Sequence, residues 1–279
     1  MTYEFSIDEP QSISYIADWI ELYITANKTS LSKSEVQSNI ESAQGYEPEE
    51  TLIDTIWNEL ERRELLYGRN APFKLEERSI SFNELWIERK DYLMCLVLSL
   101  FGNGIDTTRT GTLFEKVSEK AVRKYLHSKE TVLYGTAPRP PLQQIIGRMF
   151  ERYKASPPSF RQDRKADIIA WKPFGDKRSS QIIILFQCAA GNDWKAKINE
   201  VCLPAWATYA NWGSYLMKGF CLPKLISREE FEEYSLDGGL LLDRARICRN
   251  TIIFDNELKQ EIKNWCSSML DYHSISQSS

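Results

Sequence analysis

Asp167 and Gln187 stand at the outer ends of two apolar runs, 168–171 and 182–186, separated by the turn-rich stretch Pro173-Phe-Gly-Asp-Lys-Arg-Ser-Ser180. If the runs pair antiparallel, Ile168 faces Phe186 and Trp171 faces Ile183, so position 167 lies across from position 187. A carboxylate and an amide oxygen then converge at one strand end. Two short hard-oxygen side chains on a rigid sheet, joined by a carboxylate from a neighbouring helix, are what a magnesium ion needs to grip a phosphate. The helix that begins near Thr112 offers Glu115 as that third group.

Each of these residues also has a plainer reading. An Asp at the mouth of a hairpin commonly serves as a turn or cap residue. Glu115 lies on a helix whose other side carries Leu113, Phe114, Val117, Ala121 and Val122, which suits an ordinary solvated position. Lys197 follows Trp194 on a helix capped by Asn192 or Asp193, and a long cation beside an apolar stripe usually snorkels to water.

The run Ala166-Asp167-Ile-Ile followed by Leu185-Phe186-Gln187-Cys188 resembles the core of Mrr-type members of the PD-(D/E)xK nuclease superfamily, over residues 111–202. That superfamily carries an acidic residue on a first helix, an Asp opening one strand, and Glu or Gln two residues before a Lys on the next. Glu115, Asp167 and Gln187 match the pattern, whereas Ala189 occupies the place of the Lys. Some members carry that lysine on the following helix, so the resemblance points to Lys197, or else to Lys195. It implies an α/β (α+β) fold with a restriction-endonuclease-like mixed sheet flanked by helices. It also implies metal-dependent hydrolysis of phosphodiester bonds in DNA, with Mg²⁺ or Mn²⁺ held by Asp167, Glu115 and the Gln187 side chain or nearby backbone carbonyls. The lysine would position or activate the attacking water. Because Gln is a neutral ligand, metal affinity without DNA should be weak. A place in a prokaryotic restriction or antiphage system is the implied setting. The competing reading is a nuclease fold that has lost catalysis and binds DNA or a partner, for which Ala189 is the best support. A further one is an interaction protein whose αβ part is scaffold.

Composition narrows the field. At 279 residues the chain is long enough for two units. A net charge of −4 does not advertise nucleic-acid binding. Between Arg148 and Arg178, however, basic residues outnumber Glu151, Asp163, Asp167 and Asp176, and this cluster flanks the proposed site. It could neutralise phosphates, or form a solvated loop face. The six cysteines show no C-x-x-C pair and read as reduced and mostly buried. His127 and His273 are too few for a histidine-rich metal centre, and no phosphate-binding P-loop occurs, so an energy-using partner would be a separate chain. The N-terminus lacks a basic leader region and the most apolar run, Tyr92 to Phe101, is too short to span a bilayer, so a cytoplasmic protein without membrane contact is expected.

Along the chain, residues 1–75 read as a small helical or winged-helix-like module, with an Ile stripe from Ile13 to Ile24, a Ser32-x-x-Glu35 capping box and a third helix after Pro48. The third helix carries Glu49, Glu50, Asp54, Glu59 and Glu61, which would repel phosphates and suits a protein partner better than a DNA groove. Residues 76–110 read as a helical connector and 111–273 as the nuclease-like domain. Within the latter, helices are expected over 142–153 and from about Asp193 through Tyr209. Residues 274–279 read as a disordered tail. Homodimerisation is left open.

Overall fold

The computed structural model describes residue 3 and residues 12–45, 47–102, 107–158, 164–251 and 255–275. The chain divides into two compact units, one made of 1–104 with 254–279 and the other of 105–253.

The first unit runs α1 (Ile13–Asn27), β1 (Ser30–Ser32), α2 (Lys33–Gln44), α3 (Glu50–Tyr67), β2 (Phe73–Leu75), β3 (Ser79–Phe82), a 3-10 turn at Glu84–Trp86 and α4 (Lys90–Phe101). Its three strands form an antiparallel sheet in the order β1-β3-β2. The Ile stripe of α1 is buried at Ile16, Ile20 and Ile24, and the Ser12 hydroxyl caps the helix by accepting from the Tyr15 amide. The capping box of α2 is complete: Ser32 Oγ accepts from the Glu35 amide, and a Glu35 carboxylate oxygen accepts from the Ser32 amide at 2.7 Å.

The unit boundaries differ from those expected. The segment 76–110 is no connector, because it holds β3 and α4, which belong to the core of the first unit. Buried from Tyr92 through Leu98 with only Leu93 partly exposed, α4 needs cover on more than one side. It gets that cover from α1 and from the chain's last helix, Asn256–Ile275, which therefore belongs to this unit rather than to the nuclease-like domain. Ser274 and Ile275 continue that helix, and the rest of the expected tail, 276–279, lies outside the described residues.

The second unit runs α5 (Thr107–Leu126), β4 (Thr131–Leu133), α6 (Leu142–Arg148), β5 (Arg152–Tyr153), β6 (Ile168–Lys172), β7 (Ile182–Cys188), α7 (Trp194–Lys197), α8 (Leu203–Ala207), β8 (Ala210–Asn211), β9 (Leu216–Cys221), α9 (Arg228–Gly238), β10 (Leu240–Leu242) and α10 (Arg244–Asn250). Five strands form a mixed sheet in the order β10-β9-β7-β6-β4. The β4, β6 and β7 strands are antiparallel neighbours, while β9 and β10 run parallel to β7. The fold is thus mixed α/β, a five-stranded mixed sheet flanked by helices. Covered on both faces, β6 and β7 are near-continuous apolar runs rather than alternating ones.

The β6–β7 register is Ile168 to Phe186 and Trp171 to Ile183, residue for residue as the apolar pattern indicates. One face carries α5, with α10 on its far side. The other carries Ile169, Trp171, Ile183 and Leu185, packed against Val201, Trp206 and Tyr209. On β9, Gly219 is the register partner of Phe186, whose ring fills the space a β-carbon would need, 2.2 Å away.

Two helices are shorter than expected. The helix over 142–153 stops at Arg148, and Phe150 follows with a positive φ before β5. The helix from Asp193 is two short pieces, because Pro204 lacks an amide hydrogen and sits in the first turn of α8.

Candidate active site

Regular pairing of β6 with β7 ends at Ile168–Phe186. Beyond it the Asp167 amide donates to the Phe186 carbonyl at 2.8 Å, so that Asp167 and Ile168 both stand against one residue. This is a bulge-like step, and such steps re-aim a side chain at a strand end. Asp167 is therefore out of register with Gln187 instead of directly opposite it. Its Oδ2 accepts from the Cys188 amide at 2.7 Å, and its carbonyl accepts from the amides of Tyr134 and Gly135 at 2.6 and 3.1 Å. Bonded on three sides, the residue is held in one orientation.

The structure brings Glu115 to the same place. A β-carbon built on Gly135, in the loop after β4, would lie 2.5 Å from Asp167 Oδ1 and 3.1 Å from Glu115 Oε1. The two carboxylates thus meet over a residue with no side chain. Glu115 is half-buried on α5, and its Oε2 accepts from Thr136 Oγ1 at 3.0 Å, so it is not simply a solvated helix position. One turn further along α5, Glu119 accepts from Thr131 Oγ1 on β4, which ties the helix to the edge strand. Gly135→Ala should push the Asp167 carboxylate off its position. The expected outcome is a loss of divalent-cation affinity of about ten-fold or more with the overall fold retained, read by Mn²⁺ titration alongside circular dichroism.

Gln187 and Cys188 point to opposite faces of β7. Gln187 is 5% exposed, and its Nε2 donates to Glu200 Oε2 at 2.5 Å, while its Oε1 is buried without a hydrogen-bond partner. Cys188 lies on the α5 side. Burial pushes its thiol well above the ordinary value, and the hydrogen-bonded Cys221 side chain and the carboxylates of Asp167 and Glu115 push it further. The sulfur next to the carboxylate pair is thus held as a neutral thiol.

The structure does not bring the expected lysines to the pair. Lys197 Nζ lies 3.0 Å from Asp193 Oδ2, and this contact holds the Asp193 carboxyl below its usual range. Lys195 Nζ lies 2.8 Å from Glu230, which raises its own pKa. Ala189, at the place of the missing lysine, is buried against Trp194 and Ile198. The cation beside the loop is instead Arg139, whose Nη2 donates to the Gly135 carbonyl at 2.8 Å. Sequence patterns miss Gly135, Thr136, Arg139 and Glu200. Only the Gly and Pro content of the 135–141 stretch hints at a tight approach of backbone to the sheet end.

The basic cluster is dispersed. Lys165 pairs with Glu200 beside the site, Arg148 pairs with Glu130 and covers the Trp171 ring, and Lys172, Lys177 and Arg178 sit at the far, hairpin end of the strands. Arg161 and Asp163 lie outside the described residues. All six cysteines are free, four of them buried, with Cys188 partly and Cys202 fully exposed.

Among the described residues no three His, Cys, Asp or Glu side chains form a metal-holding group. The donors present are two carboxylates over a glycine and an orphaned buried amide oxygen, with a thiol kept protonated next to them. That set suits a hard divalent cation of the Mg²⁺ type, which takes one or two carboxylates and completes its shell with water and phosphate. Compared with known protein families, with curated proteins and with solved structures, the chain finds no match. Among the described residues no helix is long and apolar enough to cross a membrane.

Proposed function

We propose that the second unit is a metal-dependent DNA endonuclease of the restriction-endonuclease-like PD-(D/E)xK type. The observation that carries this reading is the meeting of Glu115 and Asp167 over Gly135 at the end of a mixed sheet. The order helix, three antiparallel strands, helices and a parallel strand agrees with it. Glu115 and Asp167 would hold Mg²⁺ or Mn²⁺, with Gln187 Oε1 as a neutral third donor. Bound there, the cation polarises the scissile phosphate and lowers the pKa of attacking water. Thr136 orients Glu115, and the Cys188 amide orients Asp167. Arg139, always protonated, adds a positive charge that can stabilise an anion but cannot act as a base.

A second reading is favoured by the lysines. With Lys195 and Lys197 spent on Glu230 and Asp193, and Ala189 buried, a chain that binds DNA without cutting it is the natural competitor. The two readings separate in one assay. The purified chain is expected to cut plasmid or linear duplex DNA in Mg²⁺ or Mn²⁺ and to stop on addition of EDTA. Binding of DNA with no cut in either metal selects the inactive nuclease fold.

The first unit supports a partner role in this proposal. Its connectivity of helix, strand, two helices and a two-stranded hairpin is winged-helix-like, yet α3 presents acidic side chains and an exposed Leu65. Such a face fits a protein subunit better than a phosphate backbone. A role within a restriction or antiphage complex follows from this combination.

A further inference from the structure

The amide of Gln187 has one end spoken for and one end idle. Its Nε2 donates to Glu200 Oε2 at 2.5 Å, and the other oxygen of Glu200 lies 3.4 Å from Lys165 Nζ. A carboxylate only accepts hydrogen bonds, so Glu200 can hold the NH₂ end of the amide and not the carbonyl end. Oε1 is therefore turned away from Glu200, buried and without a donor. A buried acceptor left unpaired is unfavourable and calls for an explanation. Its surroundings supply one. Gln187 is bracketed by Phe186 and Cys188, whose carbonyl and amide both bond Asp167. Nothing in the residue types predicts this, because Glu200 lies in a loop beyond α7.

We infer that Glu200 is a positioning residue. Anchored by Lys165, it fixes the Gln187 amide with its oxygen as the third hard donor beside Glu115 and Asp167. This rests on the reading that the carboxylate pair takes a divalent cation. Without Glu200 the amide can turn over and present its NH₂ group, a donor that a cation repels.

The test is Mn²⁺ titration of the full chain, with free ion followed by electron paramagnetic resonance and melting temperature measured in parallel. Glu200→Ala is expected to weaken Mn²⁺ binding roughly ten- to a hundred-fold, the usual range for partners that orient a ligand, with melting unchanged. The double variant Gln187→Glu/Glu200→Gln reverses the polarity of the pair, so a carboxylate at 187 accepts from an amide at 200. Its affinity is expected to return to or exceed that of the parent, which a merely structural Glu200 would not produce. If Glu200→Ala binds Mn²⁺ like the parent while Asp167→Ala loses it, the positioning role is overturned and the cation site stands. A folded double variant that binds no better than Glu200→Ala overturns it equally, and this decides the matter should the alanine variant not fold. A parent chain that binds no Mn²⁺ at millimolar concentration removes both the role and the site beneath it.

Discussion

Asp167→Ala is expected to abolish DNA cleavage, with a loss on the order of 10²–10³-fold or more, the scale of removing one preorganised electrostatic group. The carboxylate that faces Glu115 over Gly135 also accepts from the Cys188 amide. Alanine therefore leaves a buried amide unpaired, at a cost of about 1–3 kcal/mol in stability. Asp167→Asn separates the two effects, because an amide oxygen can still accept from Cys188 while the negative charge is gone. The asparagine variant should melt close to the parent and cut no better than the alanine variant. Cleavage by Asp167→Asn at the parent rate would show that the charge at this position does no chemistry. Rates from a supercoiled-plasmid nicking assay and melting curves from circular dichroism provide both readouts.

Arg63→Met is expected to destabilise the first unit by about 3–5 kcal/mol, a large part of the stability of an ordinary domain. The guanidinium is fully buried and donates to Asp18 at 2.6 Å, to Glu21 at 2.7 Å and to Glu59 at 2.7 Å. Its remaining nitrogen donates to the Ser14 carbonyl and hydroxyl. Tyr67 and Tyr92 hydroxyls donate to the same Glu21 oxygen, and Ser99 donates to Asp18. Removing the cation strands two carboxylates that are at most 4% exposed. Replacing the whole cluster is a different matter, since a buried ion network exchanged for neutral groups of similar volume is often no less stable. Asp18→Asn/Glu21→Gln/Arg63→Met should therefore recover much of the loss. Urea unfolding of all three proteins measures this, and equal stability of Arg63→Met and the parent would mean that the network contributes little.

What could be read from sequence, and what could not, divides by the range of the forces involved. The stripe from Ile13 to Ile24, the capping boxes at Ser32 and Ser227, and the β6–β7 register are local periodicities or local hydrogen bonds, and all are present as read. The register placed Asp167 at the end of the sheet, but it could not foresee the step at Asp167 that turns its carboxylate toward Cys188 and Gly135. That step depends on β4, a strand more than thirty residues earlier in sequence whose loop supplies the Gly135 amide. Lys197 looked suited to the site because a long helix was expected after Asp193; Pro204 breaks it, and Asp193 captures the ammonium one turn away. The assignment of the last helix to the first unit rests on its packing against α4, a contact far apart in sequence that leaves no local trace. Arg63 was invisible as a core residue for another reason: charged side chains are almost never fully buried unless paired, and its partners lie on a different helix.

The most direct measurement is an anomalous difference map from a crystal of the full chain soaked in Mn²⁺. One peak within bonding distance of Glu115 and Asp167, with Gln187 Oε1 turned toward it, is the expected result. A map with no peak at that pair, in a crystal that takes up Mn²⁺ elsewhere, would refute the cation site and with it the nuclease proposal.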